Sequence, residues 1–170
     1  MLGSSYLKKR LLRSARKNYN SGKFKSSRRI SGALNILYRD RESLDIFARS
    51  NLRLKKYENA KKAYSKANKY GYSLLDHEVN SFEASLGAED YVEAFRAFLT
   101  IKVKKNRKDS LLKLVKRLEK LTDTERVECI NEMNEISTLP TEVSKLLPWS
   151  PKRVNRSEGI PEKHSPSING

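Results

Sequence analysis

The feature that most constrains this chain is a recurrence. Three stretches, "GKFKSSRRISGAL" (Gly22 to Leu34), "KKYENAKKAYSKA" (Lys55 to Ala67) and "AEDYVEAFRAFLTI" (Ala88 to Ile101), each place a short turn-like element before an aromatic residue. Small or apolar residues follow three, seven and ten positions after that aromatic. The aromatics are Phe24, Tyr57 and Tyr91, separated by 33 and 34 residues. A period of this length marks stacked supersecondary units, none of which can bury its apolar face alone.

Another helical pattern precedes each stretch, at about Ser5 to Tyr19, Glu42 to Leu54 and Asp76 to Leu86. In the second of these, Leu44, Phe47, Ala48, Asn51 and Leu52 fall on one stripe, and the small Ala48 allows a partner helix to approach closely. Two helices joined by a turn of two or three residues lie antiparallel and bury facing stripes. Helix formers dominate, Gly and Pro are scarce before residue 140, and no run alternates with period two. The expectation is an all-α chain.

At these residues the chain resembles a tetratricopeptide repeat. The middle unit supplies the pattern's Leu44, Phe47, Ala48, Tyr57, Ala60, Tyr64 and Ala67. It departs with Asn51 where Tyr is usual, Lys55 for the turn glycine and Tyr72 for the terminal proline. The third unit matches in its second helix, through Tyr91, Ala94, Phe98 and Ile101, and the first more weakly, through Ala15, Gly22, Phe24, Ser27, Ser31 and Leu34. The resemblance spans about Lys8 to Ile101. It implies a right-handed stack of three antiparallel hairpins, over about 5–37, 42–70 and 76–103, the alternative being an unrelated helical bundle.

The resemblance also implies a concave surface lined mainly by the first helix of each unit, which receives an extended peptide or a partner helix. Carried onto this chain, the lining candidates are Lys9, Leu12, Arg16, Tyr19, Asn20, Asp45, Arg49, Leu52, Arg53, Glu78, Phe82 and Ser85. The family's carboxylate clamp for chaperone tails is echoed out of register by Arg16, Asn20 and Asn51. No basic pair stands at Ser81 and Ser85, which argues against a chaperone-tail receptor.

A stack needs a cover for its last face. Asp109 to Leu121 carries Leu111, Leu114, Val115, Leu118 and Leu121 on one side and Lys/Arg on the other, which suits a capping helix. Thr122 with Glu125 three positions on is a capping-box signature for a further helix over about 123–136, turning Val127, Ile130, Met133 and Ile136 inward against the cap. A helical turn around Thr141 to Leu147 follows Pro140. From residue 148 to 170 four of the five prolines gather among Ser, Asn and Gly, which reads as a flexible tail or linker, either leading into a longer protein or docking through Trp149 and Val154.

Charge is distributed unevenly. The formal net charge is +16, and residues 1–41 hold 12 Lys/Arg against Asp40 alone, whereas residues 42–101 hold 9 of each sign. Lys8, Lys9, Arg10, Arg13, Arg16 and Lys17 surround the stripe of Tyr6, Leu7, Leu11, Leu12 and Ala15, and Lys23, Lys25, Arg28 and Arg29 follow on the next helix. With no acid before Asp40, local neutralisation is not expected, and such a field attracts polyanions. A protein or anionic polymer, an anionic membrane surface and nucleic acid are the candidate partners, the last unsupported by any motif. The apolar stripe cannot serve a core and a membrane at once.

The residues argue against catalysis. His77 and His164 lie far apart, neither has a second metal ligand at suitable spacing, and His77 reads as a surface or helix-cap residue. No phosphate loop or nucleophile elbow appears, and the lone Cys129 reads as a small core residue, with no disulfide partner. No cofactor or metal is expected. The N-terminus lacks the apolar run of a signal peptide and no stretch approaches the length of a membrane span, so the expected compartment is the cytoplasm, with peripheral contact at the inner membrane surface as a further reading. The functional expectation is a non-catalytic binding scaffold. The alternatives are the front module of a bacterial surface-polysaccharide (capsule-type) synthesis enzyme, gripping an anionic polymer or the inner membrane surface, and an RNA-binding helical array.

Overall fold

The computed structural model describes residues 2–71 and 76–147, and these contain nine helices and no strand. They are α1 (Leu2–Asn20), α2 (Phe24–Tyr38), α3 (Arg41–Arg53), α4 (Tyr57–Lys69), α5 (His77–Gly87), α6 (Tyr91–Thr100), α7 (Lys104–Leu118), α8 (Asp123–Ile136) and α9 (Thr141–Ser144). The expected tail, with Trp149, Val154 and His164, and the departure at Tyr72 lie outside the described residues. Consecutive helices from α1 to α6 pack against each other, and α1, α3, α5 and α7 also touch in a row. The arrangement is repeat-like.

Three tight turns carry the repetition at the level of single hydrogen bonds. The amides of Lys23, Lys56 and Asp90 donate to the carbonyls of Asn18, Asn51 and Ser85, five residues back. Those of Gly22, Lys55 and Glu89 donate to Tyr19, Leu52 and Leu86. This double closure is the Schellman motif, and it needs a left-handed residue between the helices. Gly22, Lys55 and Glu89 fill that place with φ of 72°, 55° and 61°. Phe24, Tyr57 and Tyr91 then each stand as the first residue of the following helix.

The same register holds in the core. Ala15, Ala48 and Phe82 are buried at spacings of 33 and 34, as are the sets Ser27, Ala60, Ala94 and Ser31, Tyr64, Phe98 and Leu34, Ala67, Ile101. Where the first set of turns uses Ser27 in place of Ala, its buried hydroxyl donates to the Ala15 carbonyl at 3.0 Å and accepts from Ser50 Oγ at 3.0 Å, tying α1, α2 and α3 together. Asn18 and Asn51 each donate a side-chain amide to the carbonyl four residues earlier, at 2.8 Å in both cases. Close approach recurs at Gly87, where the Tyr57 ring lies against the α-carbon and leaves no room for a Cβ.

At the C-terminal end, Phe82, Phe95, Phe98, Leu114, Leu118, Ile130 and Met133 form one apolar cluster that Val143 of α9 closes. The capping box at Thr122 and Glu125 is present. α7 begins at Lys104, five residues before the expected start, because Val103 in extended conformation serves as its N-cap. α8 packs more closely on α6 than on its chain neighbour α7, and its buried residues, Ile130 and Met133, join a cluster to which both helices contribute, through Phe95 and Phe98 and through Leu114 and Leu118.

Candidate functional site

The row of α1, α3 and α5 forms one side of the molecule, and a pocket of about 430 Å³ opens on it. Tyr19 of α1, Arg49, Leu52 and Arg53 of α3, Tyr57 of α4, and Val79, Asn80 and Glu83 of α5 line it, with Asp76 at its edge. Local helix geometry explains the set: Arg49, Leu52 and Arg53 are three and four residues apart and therefore share a face. Val79 and Glu83 do the same on α5.

Arg49 is fixed from two sides. Its guanidinium pairs with Asp45 at 2.7 Å, one turn earlier, and its Cζ stands 4.8 Å from the Tyr19 ring centroid. Tyr19 in turn meets Phe24 edge to face at 5.4 Å between centroids. A guanidinium held over an aromatic face by a carboxylate is a rigid cationic surface. Arg53 is exposed at the same wall and forms no ion pair among the described residues. Across the pocket, Glu83 pairs with Lys113 of α7. Basic groups thus stand on the α3 wall and acidic ones on the α5 wall.

Between α4 and α5, Tyr64 and His77 meet edge to face at 5.3 Å. Tyr64 Oη and both His77 ring nitrogens are shielded from solvent without a hydrogen-bond partner. Burial pushes the Tyr64 hydroxyl well above its ordinary range, with the Asp45 carboxylate adding to the shift. Burial also lowers His77, and Glu78 and Asp45 only partly oppose it. His77 is therefore not the surface or cap residue its position at a helix start suggested: α4 presents Tyr64 directly over that first turn. Cys129 is half-buried beside the C-terminal cluster, and burial raises its thiol to about 11, so the thiolate a nucleophile requires is scarce at neutral pH.

Of the anticipated concave residues, Tyr19, Arg49, Leu52 and Arg53 come together in the pocket. Asp45 is buried and acts through Arg49. Phe82 and Ser85 are fully buried and do not line this pocket, and Glu78 is half-buried in a separate recess with His77 and Glu93, accepting from the Lys102 amide at 3.4 Å. The reason is register. The spacing lengthens from 33 to 34 between the second and third turns, so the counterparts of Asp45 and Arg49 are Val79 and Glu83, one residue beyond Glu78 and Phe82. Tyr57, Asp76 and Asn80 also line the pocket, and no repeat position or charge pattern in the sequence marks them as groove residues. Lys9 and Asn20 are exposed and Leu12 is half-buried, and none of the three lines this pocket.

The basic patch is partly neutralised, against expectation. Lys8 bonds Asp40 at 2.7 Å and lies 5.8 Å from the Tyr38 ring centroid, while Arg16 pairs with Glu42. The acids come from the start of α3, which packing brings alongside α1. Burial raises Asp40, but the bonds from Lys8 and from backbone amides outweigh it and hold the carboxyl below its ordinary value. Arg28 is half-buried, with Nε shielded and unpartnered. Lys9, Arg10, Arg13, Lys17, Lys23, Lys25 and Arg29 are exposed.

Among the described residues no group of three or more His, Cys, Asp or Glu could hold a metal ion, and no helix is long and apolar enough to cross a membrane. No protein-family profile matches the chain, and searches of curated proteins and of solved structures find no match.

Proposed function

We propose that this chain is a non-catalytic binding module, a right-handed stack of three tetratricopeptide-like hairpins, whose inner groove holds an extended segment of a partner protein. The observation that carries this is the pocket assembled from Tyr19, Arg49, Leu52, Arg53, Val79 and Glu83, one helix of each pair contributing a wall. Its volume and open, mixed polar lining suit a peptide segment more than an enclosed small molecule. Opposite charges on facing walls orient that segment: an acidic side chain turns toward Arg49 and Arg53, and a basic one toward Asp76 and Glu83. Leu52, Tyr57 and Val79 supply apolar contact between the walls.

Arg53 is the residue to test, because it is exposed, whereas Arg49→Glu would place a second carboxylate beside Asp45 and disturb the fold. Peptides selected from a random displayed library against the full chain are expected to carry an acidic residue and to lose roughly tenfold or more in affinity for the Arg53→Glu chain, as for a charge-assisted contact at an interface. Selected peptides that bind the Arg53→Glu chain equally well would remove the groove from the account.

A further inference from the structure

Seven large hydrophobic residues are exposed among the described residues, and four of them sit on the α1–α2 pair: Tyr6 (70%), Leu7 (49%), Ile36 (80%) and Leu37 (68%). The helices are antiparallel neighbours, and the Lys8 ammonium near the Tyr38 ring places the start of α1 beside the end of α2. All four side chains therefore gather at one end of the pair. The stripe they belong to continues down the face turned away from α3, where Leu11, Ile30 and Ala33 line a shallow open recess with Ser26 and Arg29. The apolar stripe of α1 divides accordingly: Ala15 enters the core, while Tyr6 and Leu7 project from it.

The charge left unpaired around them is positive, the Asp40 carboxylate at this end being taken up by Lys8. Lys9, Arg10, Arg13, Lys25 and Arg29 are exposed and form no ion pair among the described residues, and no acid precedes Asp40 in the sequence. Three occupants can be weighed on this pattern. A second copy would set two such basic rims against each other, which costs association energy. Nucleic acid would engage the charges but leave Ile36 and Leu37 in water. A surface that is anionic and has an apolar layer beneath it satisfies both features, and apolar side chains gathered at one protruding end reach that layer without requiring contact along the whole face.

We propose that the α1–α2 end of the molecule docks on an anionic lipid bilayer, with Tyr6, Leu7, Ile36 and Leu37 entering the headgroup boundary and the basic rim meeting lipid phosphates. This does not depend on the groove. The test is cosedimentation of the full chain with phosphatidylcholine vesicles, with and without phosphatidylglycerol. The wild-type chain is expected to sediment with the anionic vesicles alone, and less as salt rises. Arg10→Gln with Arg13→Gln should weaken partition roughly fivefold for each charge lost. Ile36→Ser with Leu37→Ser should weaken it roughly tenfold or more, with helicity unchanged because both side chains are exposed. Ile36→Ser alone is the replacement should the double variant lose helicity.

Failure of the wild-type chain to bind anionic vesicles overturns the proposal, as does equal binding to neutral ones. So does full retention of anionic binding by the apolar variant, which would reduce the effect to charge attraction alone. Loss of a concentration-dependent dimer in that variant, with vesicle binding unchanged, would assign the face to a second copy instead.

Discussion

Left-handed backbone at the three turns allows a quantitative test of their equivalence. Lys55 and Glu89 hold φ of 55° and 61° with an L side chain, where Gly22 holds 72° with none. For an L residue the left-handed region costs roughly 1–2 kcal/mol, because Cβ crowds the neighbouring carbonyl. A glycine recovers that but loses about 0.5–1 kcal/mol in added freedom of the unfolded chain. The net expectation is a gain of about 0.5–1 kcal/mol for Lys55→Gly and again for Glu89→Gly. Both side chains are exposed, so little packing is lost with them. The sites lie far apart, and the double variant should gain about 1–2 kcal/mol, a Tm rise of roughly 2–8 °C for a chain of this size. Gly22→Ala is the mirror experiment: a Cβ there meets nothing within 4 Å, so its expected loss of about 1 kcal/mol is purely conformational. Urea unfolding followed by helical circular dichroism, with m-values compared, reads all four. Destabilisation by both glycines, or a neutral Gly22→Ala, would refute the idea that one cap conformation serves all three turns.

Three further outcomes follow from the packing. Gly87→Ala drives a methyl group into the Tyr57 ring and should destabilise by about 1–3 kcal/mol, measured in the same urea titration; a neutral result would mean that α4 and α5 are not in close contact there. Tyr64→Phe removes a buried, unpartnered hydroxyl and should stabilise by about 1 kcal/mol, whereas a loss of that size would reveal a bond to the oxygen. His77 sits lower in the folded chain than its ordinary 6.5, so as pH falls below that value the unfolded chain takes up the proton first. Stability is then intact above about pH 6.5 and declines as pH drops through the folded value, and His77→Phe should flatten that slope in a pH series of unfolding curves.

Much of the helical pattern is legible in the sequence because the aromatic at each turn exit and the small residues after it are local signals, set by helical periodicity and by the steric demand of close packing. Phe24, Tyr57 and Tyr91 each open a helix for that reason. Two of the three turns hid their conformation, since Lys55 and Glu89 are not residues that announce a left-handed cap. The candidate site was less legible. A single added residue between the second and third turns shifts every later equivalence by one position, so a strict 33-residue carry-over lands about 100° around α5 from the true counterpart. Val79 and Glu83 therefore face the pocket, while Phe82 and Ser85 are buried. His77 illustrates the other limit: its surroundings are decided by Tyr64, 13 positions earlier, through tertiary packing alone. The same holds for Lys8 and Arg16, whose acids arrive on α3.

The groove is tested most directly by placing a photoactivatable side chain at Arg53, inside the pocket, and separately at Lys62, exposed on α4 outside it, and irradiating the protein in its native cells. The account predicts a discrete protein adduct from position 53, traceable by mass spectrometry to one segment of the partner, and none of that segment from position 62. Capture of the same segment from position 62 with none from position 53 would contradict it.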